Sequence, residues 1–326
     1  MTRAEAYDAQ DIPPYESLPM FARTGERHAW DVFGLDDELG TMNFVTKDAV
    51  VAAAGEVATG ETICLSLPMD QPSPSLVPKR TPFEHSVTLS RMGRDDSLSN
   101  FFLQCSSQWD GLQHIRYREF GYYGGRQEHD LDNGILGIDV LAKHGIVGRG
   151  VLIDVERYMA AKGAPLAQNR RVLITPELLD KTLESQGTKL RRGDILLLRT
   201  GWLGWYLGLS AAMRQALGGR QHGGEDGLET PGLDPGIETA AWLWNHGTAA
   251  AAADNPALEA LRIRREDGFL HRRILALLGM PIGEFFLLDS LAGACSAARR
   301  WSFLLVSAPF NLPNGVGSPN NAYAIL

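Results

Sequence analysis

The sequence predicts a mixed α/β fold in a single domain. Apolar strand-like segments and amphipathic helix-like segments alternate along its 326 residues, but too irregularly for a regular βαβ ladder. Hydrophobic residues make up 44% of the chain and charged residues 21%, which is typical of a folded protein and excludes disorder over most of the length. No internal repeat or linker divides the sequence, so we expect one domain over residues 28–326, preceded by a polar arm over residues 1–27.

The predicted strands are segments rich in β-branched and aliphatic residues that are bounded by glycine, proline or polar turns. In chain order they are 62–69, 85–91, the start of 101–111, 150–158, 193–202, 248–255, the start of 280–291, and 301–310. Clusters of proline, glycine and asparagine predict loops. These loops are 68–84, 121–134, 218–232 and 311–326, of which the glycine-rich 218–232 is a candidate lid.

Helices are predicted where capping residues enclose an apolar face. The predicted helices are 47–57, 137–145, 175–187, 236–246 and 270–279. The clearest begins at Thr175, which can cap the helix, followed by Pro176 at the first helical position. It stops at Gly187. Thr46 and Gly145 give the same type of signal at the start of the first helix and the end of the second.

The charge balance and the cysteine content exclude several classes of protein. With 31 lysines and arginines against 39 acidic residues the formal net charge is −8, which argues against a nucleic-acid binder and against attraction to anionic membranes. No apolar run approaches the roughly 18 residues of a bilayer span, and the N-terminus has no signal-peptide core. The 3 cysteines are far apart, so we expect reduced thiols in a cytoplasmic protein.

The segment from Gln104 to His114 is the richest in potential ligands. It places Asp110 and His114 four residues apart at a predicted boundary between strand and loop. A carboxylate and a neutral imidazole are the mixture that divalent metals with oxygen and nitrogen ligands use. The same spacing is more common in a plain hydrogen-bonded pair, so the segment by itself leaves both interpretations open.

His271 and Glu284 form a second candidate pair. Glu284 lies in the apolar run I-G-E-F-F-L-L, where a buried carboxylate is costly unless it is paired or bound to a metal. If the strand faces solvent at this point, Glu284 needs no partner. His271, at the start of a predicted helix, is on its own more typical of a structural histidine than of a ligand.

Together these residues resemble the cyclase family of metal-dependent hydrolases, which includes bacterial kynurenine formamidase and isatin hydrolase. The family motif H-x-G-T-H-x-D-x-P-x-H aligns with Asp110 at its aspartate and with His114 at its last histidine, and His271 and Glu284 match a later histidine–glutamate pair. Stretches such as DDELGTMN, RRGDILLLRTGW and GEFFLLDSL extend the resemblance over roughly residues 30–326. It implies a swivelling β/β/α single domain, assembled as a homodimer or homotetramer.

The motif is incomplete in this chain. Gln104 and Gln108 stand where the family has its first two histidines, which belong chiefly to one of the two metals of the formamidases. A neutral amide is a poor substitute for imidazole on zinc, so the resemblance implies one divalent ion, Zn²⁺ or Mn²⁺. The implied metal ligands are Asp110, His114, His271, Glu284 and Gln108. His271 or Glu284 could instead transfer protons as a catalytic residue, and the sequence does not decide between these roles.

Four residues are candidates for substrate binding: Trp109, Gln104, Tyr117 and His85. Trp109 lies between two polar candidates in a predicted turn, where its ring would suit the wall of a pocket for a cyclic or aromatic ligand. Gln104 and Tyr117 flank the motif. His85 opens a strand after the proline-rich loop, from which it could reach the pocket.

These observations predict a hydrolase that uses a metal-activated water on a cyclic amide, lactone or formamide-type carbonyl. The expected partner is a small-molecule substrate, with no nucleic acid and no membrane. One alternative is a cyclase or dehydratase that uses the same ion as a Lewis acid. Another is a catalytically silent binder of small molecules, which the two glutamines motivate.

Overall fold

A nine-stranded mixed sheet forms the centre of the structure, which is a computed structural model. It describes residues 12–77, 79–220 and 227–326. The strands are Thr62–Cys64 (β1), Glu84–Leu89 (β2), Arg94–Ser99 (β3), Gln108–Asp110 (β4), Ile146–Asp154 (β5), Val172–Ile174 (β6), Ile195–Arg199 (β7), Pro231–Leu233 (β8), Ala250–Ala253 (β9), Ile282–Glu284 (β10), Ser302–Ser307 (β11), Gly317–Pro319 (β12) and Ala322–Ile325 (β13). The order in the large sheet is β1-β13-β11-β5-β7-β9-β10-β4-β12.

Helices pack around this sheet. The α-helices are Lys47–Ala54 (α1), Glu128–Asp132 (α2), Ile138–His144 (α3), Val155–Ala161 (α4), Pro176–Gln186 (α5), Trp202–Leu207 (α6), Ala211–Leu217 (α7), Ile237–Asn245 (α8) and Asp289–Ala298 (α9). Short 3₁₀ turns lie at Tyr15–Ser17, Gly40–Phe44, Arg118–Phe120 and Tyr123–Gly125, and a π-helical segment runs over Arg272–Leu277. The arrangement confirms the mixed α/β class. None of the helices in the described ranges combines the length and apolarity of a bilayer span.

The middle of the sheet is parallel and almost entirely buried. Strands β5, β7, β9 and β10 run parallel to one another, and every residue of β9 is buried. Apolar side chains on both faces of such strands explain why they read as continuous apolar runs in the sequence. The prediction of a strand over 248–255 is confirmed, although alanine favours helix, because burial between β7 and β10 leaves room only for small side chains.

The capped helices form as predicted. The Thr175 side chain accepts a hydrogen bond from the Leu178 amide, and Gly187 ends α5 in the left-handed conformation with φ 64°. The Thr46 side chain accepts from the Ala49 amide at 3.1 Å to begin α1. Gly145 follows α3 with φ 79°, a backbone angle that glycine adopts without strain.

Several elements differ from the prediction. In 101–111 the strand is the polar end, Gln108–Asp110, and not the apolar start. The strand predicted over 85–91 exists, but all of its residues are exposed because it pairs only with β3 in a separate hairpin. The C-terminal loop predicted over 311–326 contains β12 and β13, and the predicted helix over 270–279 is π-helical.

The described part of the N-terminal arm packs on its own domain. Tyr15 and Leu18 are buried in the main core, and the Trp244 indole donates a hydrogen bond to the Pro13 carbonyl at 2.9 Å. Residues 1–11, and residues 221–226 of the candidate lid, lie outside the described residues. Tyr15 and Leu18 of the arm thus find apolar partners within the chain.

Candidate metal centre

Two short antiparallel strands position the carboxylates of the site. In the register of β4 and β10, Gln108 lies opposite Glu284, and Asp110 lies opposite Ile282. Because side chains alternate along a strand, Gln108 and Asp110 project from one face and Trp109 from the other. Directly opposed residues of an antiparallel pair share a face, so the pairing places Glu284 beside the two polar residues of β4.

His271 completes a buried cluster with these carboxylates. It immediately precedes the π-helical segment, and its Nε2 atom lies 3.2 Å from Glu284 Oε1 and 3.9 Å from Asp110 Oδ2. One potential ligand atom from each of Asp110, His271 and Glu284 lies within 4.8 Å of the others. All three residues are buried. Two carboxylates and one imidazole at this spacing are a donor set that suits a divalent metal.

The two glutamines of the incomplete motif point into this cluster as amide donors. Gln108 Nε2 donates to Glu284 Oε2 at 2.5 Å. Gln104 Nε2 donates to Asp110 Oδ1 and lies 3.0 Å from His114 Nδ1. An amide nitrogen that contacts Nδ1 can only donate, so the neutral His114 ring carries its proton on Nε2. That nitrogen faces Asp110 Oδ2 at 3.7 Å.

Burial and the neighbouring carboxylates shift the pKa values of the ionisable groups in the cluster. Burial raises the pKa of the Glu284 carboxyl, and the charge of Asp110 raises it further. Burial lowers the pKa of His114. Burial alone would also lower the pKa of His271, but the carboxylates of Glu259 and Glu284 outweigh it and raise that pKa well above its usual range. The site therefore concentrates negative charge around a single imidazole, which favours a bound cation.

Comparison with known proteins identifies the fold family. The sequence profile of the Cyclase family matches residues 63–260. A crystal structure described as a novel cyclase is 32% identical, with a TM-score of 0.79, and the match covers 92% of this chain and 99% of that one. The chain belongs to the cyclase family. The resemblance inferred from the motif is thereby confirmed.

More distant structures share the cyclase fold. Isatin hydrolase A from Labrenzia aggregata is 19% identical with a TM-score of 0.56, and the match covers 85% of this chain and 97% of that one. Isatin hydrolase A from Ralstonia solanacearum is 18% identical with a TM-score of 0.56, covering 86% of this chain and 97% of that one. None of the curated proteins matches the sequence. The isatin hydrolases thus support the architecture of this cyclase-family chain, with its single mixed α/β domain.

The structure brings some predicted site residues of this cyclase together and separates others. Trp109 does not line a pocket: its ring is fully buried, packs edge-on against Phe286 and donates to Ser307 Oγ at 2.9 Å. This corrects the prediction, which placed Trp109 in a turn; in a strand, its side chain points away from those of its two neighbours. The structure also places His85 on a separate element from the cluster. It lies on the exposed hairpin, where its Nε2 contacts Asp96 at 2.9 Å.

Tyr117 belongs to a separate aromatic group. Its ring stacks on Phe21 with 5.7 Å between centroids, and it is buried against Ala276 and Leu277. Its hydroxyl is buried without a hydrogen-bond partner in the described part of the chain. Among the described residues, Tyr117 therefore forms no hydrogen bond or ring contact with Asp110, His271 or Glu284.

Sequence reasoning missed two residues that contact the site from loops. Glu259 is buried, and its Oε2 lies 3.2 Å from His271 Nδ1. Arg80 donates from its guanidinium to the Gln104 carbonyl. Glu259 could have been noticed, because it is an acid within the apolar segment N-P-A-L-E-A-L, the same signal that singled out Glu284. Arg80 gives no such signal, since a basic residue in a proline-rich loop is ordinary.

Proposed function

We propose that this chain is a metal-dependent hydrolase that cleaves a cyclic amide, lactone or formamide-type carbonyl of a small molecule. The observation that carries the proposal is the buried triad of Asp110, His271 and Glu284, whose ligand atoms lie within 4.8 Å of one another. It lies on a cyclase-family fold. The similarity to isatin hydrolases supports a small cyclic substrate as the first class to test.

The residues present fit a single divalent ion. Asp110 Oδ2 and Gln108 Oε1 are buried atoms without hydrogen-bond partners among the residues described, and unsatisfied oxygens of this kind are costly unless something binds them. Asp110, His271 and Glu284 would hold the ion, and Gln108 Oε1 would remain free to accept a hydrogen bond from a water or a substrate at the site. Mixed oxygen and nitrogen ligands suit Zn²⁺ or Mn²⁺. A bound ion supplies a water of lowered pKa and a Lewis acid for the carbonyl oxygen.

Glu284 is the residue to which we assign proton transfer. In the metal-free site, burial and the charge of Asp110 raise its pKa, so this carboxyl takes up a proton more readily than an exposed one does. Where it is not fully engaged by the ion, its carboxylate would take a proton from the attacking water and give it to the nitrogen or oxygen that leaves when the acyl C–N or C–O bond breaks. His114 is unsuited to this step while the Gln104 amide contacts its Nδ1 atom, because its Nε2 atom then already carries a proton.

The proposal is tested by metal analysis and a substrate panel on the same preparation. We expect about one equivalent of Zn²⁺ or Mn²⁺ per chain, since Gln104 and Gln108 supply amides where imidazoles would hold a second ion. We expect hydrolysis of at least one cyclic amide, lactone or N-formyl arylamine that stops with chelator and returns with metal. His271→Ala should abolish both, and His85→Ala, on the exposed hairpin, is the matched control that should change neither.

Other results would contradict the proposal in distinguishable ways. A preparation that binds no divalent ion and turns over nothing, yet binds small molecules, would indicate a silent binder. Metal-dependent turnover found only in a panel of dehydration and cyclisation substrates would indicate a cyclase or dehydratase. Two equivalents of metal that both resist brief chelation would overturn the single-ion site.

A further inference from the structure

Glu259 is a buried carboxylate on a rigid segment of backbone. It is 1% exposed and lies in the loop between β9 and the π-helical segment. The adjacent Ala260 amide donates to the Leu233 carbonyl at 2.9 Å, and Asn255 Nδ2 donates to the Glu259 carbonyl at 3.2 Å. Gly232 lies so close that any side chain there would overlap the Glu259 backbone. These contacts fix the position of the Glu259 backbone, from which its side chain starts.

The Glu259 side chain contacts His271 twice through one oxygen. Oε2 accepts a hydrogen bond from the His271 amide at 3.1 Å and lies 3.2 Å from its Nδ1 atom. The second oxygen, Oε1, has no hydrogen-bond partner, and within the described ranges no lysine or arginine forms an ion pair with Glu259. A buried carboxylate is costly unless it is paired, and the partner described for Glu259 is the His271 ring.

The other edge of the His271 ring faces the candidate metal ligands. Nε2 lies 3.2 Å from Glu284 Oε1, whereas Phe269 stacks on the ring face with 5.1 Å between centroids and 12° between planes. Nδ1 and Oε2 are at hydrogen-bond distance but not aligned as a hydrogen bond. Hydrogen bonds of catalytic groups are often long or poorly aligned in ligand-free structures. The ring is thus held between a carboxylate at Nδ1 and the site at Nε2.

We infer that Glu259 is a positioning residue that holds His271 in the Nδ1-protonated tautomer and directs the Nε2 lone pair at the metal. The inference rests on the proposed function for the identity of what Nε2 binds. A carboxylate that accepts from the remote nitrogen fixes the orientation of a ligating imidazole and raises its basicity. Removal of such a partner typically lowers metal affinity 10- to 100-fold.

The test uses Glu259→Gln and Glu259→Ala in the full chain, with Glu56→Gln as the control. Glu56 is also a carboxylate with limited exposure, but its partners are Arg149, Arg191 and Ser302. Titration with Co²⁺ should give a dissociation constant about 10- to 100-fold higher for Glu259→Ala. The increase should be smaller for Glu259→Gln, whose amide oxygen can still accept from Nδ1. Glu56→Gln should bind Co²⁺ like the wild type.

A second measurement reads the tautomer without any metal. Imidazole ¹⁵N resonances of His271, identified by their loss in His271→Gln, should show a protonated Nδ1 in the metal-free wild type at a pH where the ring is neutral. Glu259→Ala should shift the population toward protonated Nε2, and Glu259→Gln should shift it less, because its amide oxygen can still accept from Nδ1. Unchanged tautomers and unchanged Co²⁺ affinity in both variants would overturn the positioning role. If the wild type binds no Co²⁺, the proposed function fails, and the ¹⁵N measurement alone still decides the role of Glu259.

Discussion

Replacement of Asp110 by asparagine should separate metal binding from folding, because two opposed charges act on this carboxylate. Asp110 Oδ2 lies 3.9 Å from His271 Nε2, and the Asp110 and Glu284 ligand atoms are at most 4.8 Å apart. At an effective dielectric constant of about 20, attraction to a protonated His271 amounts to about 4 kcal/mol and repulsion by an ionised Glu284 to at least about 3.5 kcal/mol. The two contributions nearly cancel.

Asparagine also preserves the hydrogen bonds of the carboxylate. Its Oδ1 can accept from Gln104 Nε2 and Gln108 Nε2 as the aspartate oxygen does. The position of Oδ2 has no hydrogen-bond donor within the described residues, so an amide nitrogen there loses no bond. We therefore expect the free energy of unfolding of metal-free Asp110→Asn to lie within about 1 kcal/mol of the wild-type value. For a chain of this length, that difference corresponds to about 2 °C in melting temperature.

The metal-bound proteins should differ. An ion that binds only the folded state stabilises it by about 2.7 kcal/mol at 100 times its dissociation constant, or about 4 °C here. Differential scanning fluorimetry with chelator, and then with buffered Zn²⁺ or Mn²⁺, should show this rise in the wild type and not in Asp110→Asn. Asp96→Asn is the matched control, because Asp96 also lies beside a histidine, at 2.9 Å from His85, but on the exposed hairpin.

Two outcomes would refute this reasoning. If Asp110→Asn keeps the full metal-induced rise, Asp110 is not a ligand. If its metal-free melting temperature falls by more than about 5 °C, the carboxylate is needed for folding itself and the cancellation of charges is wrong.

Three further predictions follow from the structure. His271→Ala should lose its metal in elemental analysis, whereas His114→Ala should keep it, because only His271 belongs to the triad; metal loss in both would make His114 a ligand. The double variant with histidine at Gln104 and Gln108 should bind a second, weaker equivalent of zinc under excess metal, and unchanged stoichiometry would mean that these side chains do not occupy ligand positions. Burial opposes ionisation of Glu56, but its serine and arginine partners outweigh it and lower its pKa. Its stabilisation is thus present above the unfolded-state pKa and lost as pH falls through the lower folded-state value. The gap in urea midpoint between wild type and Glu56→Gln should therefore shrink from pH 6 to pH 3, and a constant gap would contradict this linkage.

Elements that contain their own start and stop residues could be predicted from the local sequence. Helix α5 has its cap, its proline and its terminal glycine within one short segment, so nothing distant is needed to define it. Strand β7 and the second half of β5 are recognisable because burial on both faces requires mostly apolar residues. The strand predicted over 150–158 nevertheless began four residues late and ran into α4. These elements also carry the architecture that the family resemblance implied.

Elements that depend on distant partners were not predictable in the same way. Strand β4 is only Gln108–Asp110 and polar at both ends, and it is a strand because β10 and β12 pair with it on either side. The turn that was predicted in place of β4 also misplaced Trp109. Side chains alternate between the two faces of a strand but not of a turn, so Trp109 points away from Gln108 and Asp110. Strands β12 and β13 lie in a Gly/Pro/Asn-rich segment whose pairing comes from β4, β11 and β1.

The two glutamines are the clearest link between this sequence and the chemistry it can support. Each amide covers one oxygen of a carboxylate: Gln104 binds Asp110 Oδ1, and Gln108 binds Glu284 Oε2. The remaining oxygens, Asp110 Oδ2 and Glu284 Oε1, are the ones that face His271 Nε2. Each carboxylate can therefore offer a metal one oxygen, which gives three protein ligands in all. A site with three protein ligands keeps a coordination position open for water or substrate, as catalytic sites do and closed structural sites do not. In the proposed site, the two glutamines thus leave one oxygen of each carboxylate for the ion.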